Sequence, residues 1–71
     1  MNGYKKNMWK TKTNEIISCD EKIKVLNENF KDLELQIQNT LDDAVLMECD
    51  EFDLKLRIFK LVKSINSSFK K

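Results

Sequence analysis

The sequence predicts an all-α chain, an antiparallel two-helix hairpin with coiled-coil-like packing. Three observations carry that expectation. One Gly and no Pro in 71 residues, with 41% hydrophobic and 35% charged residues, is the balance of long soluble helices rather than of sheets or linkers. Apolar residues recur at steps of three and four along two separate stretches, which is the period of a helix with one buried stripe. A short polar interruption, Asn39-Thr40-Leu41-Asp42, lies between the two stretches. A chain of this length holds one core and little more, which leaves no room for a buried cleft.

Residues 1–13 read as a flexible basic tail. Tyr4, Lys5, Lys6, Met8, Trp9, Lys10 and Lys12 precede the first acid, Glu15. The charge is too sparse, and the amphipathic period too weak, to make this segment a nucleic-acid or membrane binder, so a loose terminus is the expectation. The hairpin then occupies 14–66. Helix 1 is expected over about 14–38, with Ile16, Cys19, Ile23, Leu26, Phe30, Leu33 and Ile37 as its seam. Thr13-Asn14-Glu15, or Ser18 with Glu21, supplies oxygens for the free N–H groups at its start.

The turn is placed at 39–42. Asn39 suits a left-handed C-terminal cap, Asp42 suits an N-cap, and Leu41 with Leu46 has the spacing of a hydrophobic staple. Helix 2 follows over about 43–66, its seam formed by Val45, Cys49, Phe52, Leu56 and Phe59, and 67–71 is a frayed end. Folding at that turn pairs Ile37 with Val45, Leu33 with Cys49, Phe30 with Phe52, Leu26 with Leu56 and Ile23 with Phe59. This register holds Cys19 and Cys49 roughly 20 Å apart at 1.5 Å rise per residue, too far for a disulfide. A second apolar stripe on helix 2, Met47, Leu54, Ile58, Leu61, Ile65 and Phe69, falls opposite the seam and needs a cover. A homodimer or four-helix arrangement through Met47, Leu54, Ile58, Leu61 and Ile65 supplies one, and a hydrophobic landing site for a different partner is the other reading.

Composition excludes several classes of function. Thirteen basic and twelve acidic residues give a formal charge of +1, without a global pull toward nucleic acid or membrane. There is no His, no Cys-x-x-Cys and no Gly-rich phosphate loop, so no zinc, redox or nucleotide site and no cofactor of the chain's own is expected. Neither a secretory leader nor an apolar run of spanning length is evident, which points to the cytoplasm.

Between its two apolar stripes helix 2 carries a polar strip of Asp50, Asp53, Arg57, Lys60 and Ser64. By itself the strip is a solvated face with i,i+4 pairs such as Asp53 to Arg57. The run Val45-Leu46-Met47-Glu48-Cys49-Asp50-Glu51-Phe52-Asp53, followed by Leu56 and Phe59, nonetheless resembles the stage-zero sporulation protein E family of aspartyl-phosphate phosphatases. Members of that family carry Ser-Gln-Glu-Leu-Asp on the second helix of a short helical hairpin. Here the five positions read Cys49-Asp50-Glu51-Phe52-Asp53, with Glu51 and Asp53 in common. The resemblance spans about 22–59.

It implies a negative regulator of sporulation that dephosphorylates a response regulator, stage-zero sporulation protein A, by docking helix 2 on it. Asp53 would be the catalytic position, flanked by Asp50 and Glu51, with Arg57, Lys60 and Cys49 contacting the partner. The phosphorylated response regulator would supply the acyl phosphate and the Mg²⁺. Asp50 stands where the family has an amide, and a carboxylate near a phosphoryl group needs a metal or a base to offset its charge. A non-catalytic interaction or chaperone hairpin acting through the second apolar stripe is the alternative.

Overall fold

The computed structural model describes residues 8–69, and among these the chain is all-helical. α1 spans Asp20–Leu46 and α2 spans Glu51–Ser64, joined by the turn Met47–Asp50. The chain divides into two compact units, Met1–Leu35 and Gln36–Lys71, and α1 contributes to both.

In the first unit α1 begins later than its stripe suggests. The residues expected to open the helix instead close a small loop, in which Ile17 donates its N–H to the Trp9 carbonyl at 2.7 Å and Thr11 donates to the Glu15 carbonyl at 2.7 Å. A lone antiparallel bridge joins Lys10 and Ile16. Asn14 turns the loop at φ 71°, a left-handed conformation that Asn tolerates better than most residues. Asn14 therefore belongs to this loop, and helix 1 starts at Asp20 rather than near 14. Its first turn carries Asp20 and Glu21, whose negative charge suits a helix N-terminus, and Ile23 donates to the Cys19 carbonyl at 3.0 Å.

The loop also corrects the expected flexible tail over 8–13. Trp9 is held on α1 by its indole N–H, which donates to Asn27 Oδ1 at 2.8 Å, and by an edge-on contact with Phe30 at 5.8 Å between ring centroids. Trp9, Ile17, Ile23, Leu26 and Asn27 are the half-buried side chains of this unit. Ring edges carry partial positive charge and ring faces negative, so the near-perpendicular arrangement adds to what burial alone contributes. Tyr4, Lys5 and Lys6 lie outside the described residues.

In the second unit the largest correction is the turn. The stretch 39–42 is interior to α1, and Ile37 and Val45, expected to face each other across the hairpin, sit on one helix. Asn, Thr and Asp each cost a helix only tenths of a kcal/mol relative to Ala, and with no Gly or Pro nearby local order offsets that. Thr40 Oγ1 donates back to the Gln36 carbonyl at 2.8 Å, and Gln38 Nε2 donates to Asp42 Oδ1 at 3.0 Å. Leu41 and Ala44 continue the stripe begun by Ile37 at i+4 and i+7. Asp42 therefore caps nothing, Leu41 and Leu46 form no staple, and the register pairing Phe30 with Phe52 falls with its turn.

α1 ends instead in a Schellman arrangement. Glu48 takes φ 66°, its N–H donates to the Val45 carbonyl at 3.0 Å, and the Cys49 N–H donates to the Ala44 carbonyl at 2.8 Å. Two carbonyls left open at the end of α1 are thereby satisfied. Asp50 then opens α2 as its N-cap, the carboxylate accepting from the Asp53 N–H at 2.7 Å.

The shifted turn also exchanges the two faces of α2. Leu54 and Ile58 are half-buried, together with Ile37 and Leu41 of α1, and Ala44 is the one fully buried residue described, at 7% exposure. Counting equal steps outward from Met47–Asp50 puts Leu54 beside Ala44, and Ile58 between Leu41 and Ile37. Leu54 and Ile58, expected to seek a partner, are spent within the hairpin. The expected seam is left in solvent, with Phe52 70%, Phe59 59% and Leu56 41% exposed, and Met47, Leu61, Ile65 and Phe69 of the second stripe stay exposed as well. α2 ends at Ser64, two residues before the expected 66, where Ile65 turns extended and donates to the Val62 carbonyl at 3.3 Å.

Candidate functional site

The residues singled out in the sequence gather at the turn and on one side of α2. Cys49 lies in the turn, exposed and free, its thiol 3.7 Å from the Asp50 carbonyl. It is not a seam residue. Its side chain precedes the N-cap, and Leu54 stands at the fourth helical position, the spacing of a hydrophobic staple.

Asp50, Glu51 and Asp53 share the first turn of α2, where their charge complements the positive end of the helix dipole. Each has a structural partner. Asp50 caps the helix. Glu51 Oε2 lies 3.5 Å from Lys55 Nζ, one turn on, with both side chains more than half exposed. Asp53 Oδ2 accepts a hydrogen bond from Arg57 Nε at 2.8 Å, with Arg57 73% and Asp53 50% exposed. That hydrogen bond, and next the charge of Asp53, raise the Arg57 pKa above its ordinary value, so the guanidinium stays charged. Exposed pairs of this kind contribute little to stability, but they narrow the positions a side chain samples.

At about 100° per residue, Asp53, Arg57, Lys60 and Ser64 form one strip along α2, as the sequence suggests. On one side the strip borders the packed residues Leu54 and Ile58. On the other it borders the exposed Phe52, Leu56 and Phe59. Lys63 Nζ lies 5.3 Å from the centre of the Phe59 ring, a cation–π distance. The sequence shows this apolar outer face as a stripe whose spacing predicts an interior seam. The signal that would have exposed it is Asp50 followed three positions on by Asp53, the spacing of a capped helix start.

A shallow groove beside the turn is lined by Leu41, Asp42, Val45, Leu46, Glu51 and Lys55, together with Gln38. It is open to solvent and brings no two candidate catalytic groups together. Among the described residues no group of three or more His, Cys, Asp or Glu side chains is arranged to hold a metal ion. None of the described helices is long and apolar enough to cross a membrane. No family model, no curated protein and no solved structure matches the chain.

Proposed function

We propose that the chain is a cytoplasmic negative regulator of a sporulation phosphorelay that docks the outer side of α2 on a phosphorylated response regulator and promotes hydrolysis of its aspartyl phosphate. The observation that carries the reading is Asp53. It is a half-exposed carboxylate in the first turn of α2, steadied by Arg57 at 2.8 Å and bordered by exposed apolar side chains that can seat on a partner. The resemblance of Cys49–Asp53 to the family signature supplies the reaction class.

The chemistry asks little of so small a protein. The response regulator holds the acyl phosphate and the Mg²⁺, and the docked helix has only to place a water in line with the phosphorus. The water oxygen bonds to phosphorus as the bond to the aspartyl oxygen breaks, yielding inorganic phosphate and a free carboxylate on the regulator. Asp53 accepts a hydrogen bond from that water and orients it. Arg57 balances the carboxylate against the approaching phosphoryl charge, Lys60 and Cys49 contact the partner, and Asp50 and Glu51 keep the turn in place.

The test is phosphate loss from a phosphorylated sporulation response regulator in Mg²⁺, with and without stoichiometric protein. A shortened phosphate half-life that Asp53→Ala abolishes, with helicity unchanged, is the expected result. An unchanged half-life, or an Asp53→Ala protein as active as wild type, removes the reading. A second reading, a non-catalytic docking or chaperone hairpin, is favoured by the exposure of Phe52, Leu56 and Phe59. On that reading Leu56→Lys abolishes complex formation while Asp53→Ala leaves it intact.

A further inference from the structure

We infer that the outer face of α2 is a self-association surface, on which a second copy of the chain packs its own α2 antiparallel about a two-fold axis. Phe52, Leu56 and Phe59 repeat at steps of four and three, the spacing of a coiled-coil seam, and all three are exposed. They lie opposite Leu54 and Ile58, the face already occupied within the hairpin, so covering them disturbs nothing the fold needs.

Charge selects a second copy, and an antiparallel one. Acids sit at the start of α2, in Glu51 and Asp53, while Lys60 and Lys63 sit at its end. With Leu56 seated against Phe52 of the second copy, Phe59 falls opposite Cys49 of that copy. In this register Asp53 and Lys60 both occupy the seam-flanking position that meets its own counterpart in antiparallel coils. Asp53 therefore faces Lys60 of the second copy, and the two-fold axis repeats the pair. A parallel pairing sets acid beside acid and base beside base. A two-fold interface must be complementary to itself, and this helix meets that condition in both its apolar and its charged residues. A seam of three large side chains is at the small end of specific interfaces, so association depends on protein concentration.

The dimer uses the same face of α2 as the proposed docking on a response regulator, so the two compete for it. Self-association is measured on the chain alone, however, and its failure is distinguishable from a failure of the phosphatase reading. Sedimentation across the micromolar to millimolar range is expected to show a reversible dimer, and Leu56→Lys to weaken it at least roughly tenfold with unchanged helicity. Leu61→Lys, toward the packed side of α2, is expected to leave the dimer intact. Lys60→Glu and Asp53→Lys each place like charges across the seam and are expected to be monomeric at a concentration where wild type dimerises. An equimolar mixture of the two restores both charge pairs and is expected to form a heterodimer. A wild-type chain that stays monomeric into the millimolar range overturns the proposal, as does a mixture that fails to associate. So does a dimer broken by Leu61→Lys but not by Leu56→Lys.

Discussion

Replacing Asp50 separates its work in the fold from any role at a phosphoryl group. Its carboxylate accepts from the Asp53 N–H at 2.7 Å and starts a helix of only 14 residues. Losing such a cap costs about 1 kcal/mol. Losing a negative charge at a helix N-terminus costs about a further 0.5 kcal/mol. Asp50→Ala should therefore destabilise the chain by about 1.5 kcal/mol, and Asp50→Asn, which keeps a capping oxygen but no charge, by about 0.5 kcal/mol. For a domain of this size 1 kcal/mol moves Tm by about 4–8 °C, so the expected losses are roughly 6–12 °C and 2–4 °C. Asp50→Gln, which installs the amide of the resembled family, should fall near Ala because Gln is a poor N-cap. Thermal unfolding followed by far-UV circular dichroism reads all three. An Ala protein that melts with wild type, or an Asn protein that falls as far as Ala, refutes the cap assignment.

Three other substitutions test the architecture. Glu48 adopts φ 66° with a Cβ that crowds this region, so Glu48→Gly should raise stability by about 1 kcal/mol in the same melt, while Glu48→Ala should gain little. Trp9→Ala removes both the bond to Asn27 and the contact with Phe30; it should cost about 2 kcal/mol and increase amide exchange over 9–17. Ile58→Lys should detach α2 and lower helicity by circular dichroism, whereas Leu56→Lys should not, and the reverse outcome would return the core to the expected seam. The raised Arg57 pKa adds no pH dependence in the working range. A raised Arg57 pKa gives stability that is present below the ordinary guanidinium value and lost only as pH climbs through the higher folded one.

Periodicity and composition suffice to read two helices, three members of the expected α1 seam, Ile23, Leu26 and Ile37, and the Asp53–Arg57 pair, whereas Ile16, Cys19, Phe30 and Leu33 of that seam stay exposed. The turn was not legible, because the cues that usually mark one point elsewhere. Asn39 and Asp42 are turn-forming residues used inside a helix, while the actual left-handed position is held by Glu48, whose side chain has no preference for it. Moving the turn by eight residues reverses which face of α2 looks inward. The stripe of Leu54 and Ile58 and the stripe of Phe52, Leu56 and Phe59 are equally apolar, so pattern alone cannot choose between them, and the connection does. The place of Trp9 was hidden for a different reason. Its partners, Asn27 and Phe30, are distant in sequence, and no local pattern announces a contact of that range.

The run Cys49–Asp53 answers to two demands at once, and this decides how its resemblance to the phosphatase signature is tested. A helix that must start sharply after a Schellman turn asks for an oxygen at its cap, acids in its first turn and an apolar residue just before the cap. Cys49, Asp50, Glu51 and Asp53 satisfy those requirements whether or not a response regulator is ever bound. Shared acids at Glu51 and Asp53 are thus what any well-started helix would show, and their identity adds less to the functional reading than their exposure does. Asp53 is the informative position, because its backbone N–H serves the cap while its side chain does not. Asp53→Asn keeps the N–H bond to Asp50, retains an oxygen for Arg57 and removes only the charge. A merely structural Asp53 predicts a small loss of stability and unaltered phosphate hydrolysis. A water-orienting carboxylate predicts the same melt with hydrolysis reduced by about tenfold or more. Equal hydrolysis by wild type and Asp53→Asn would leave the signature as a helix start and nothing further.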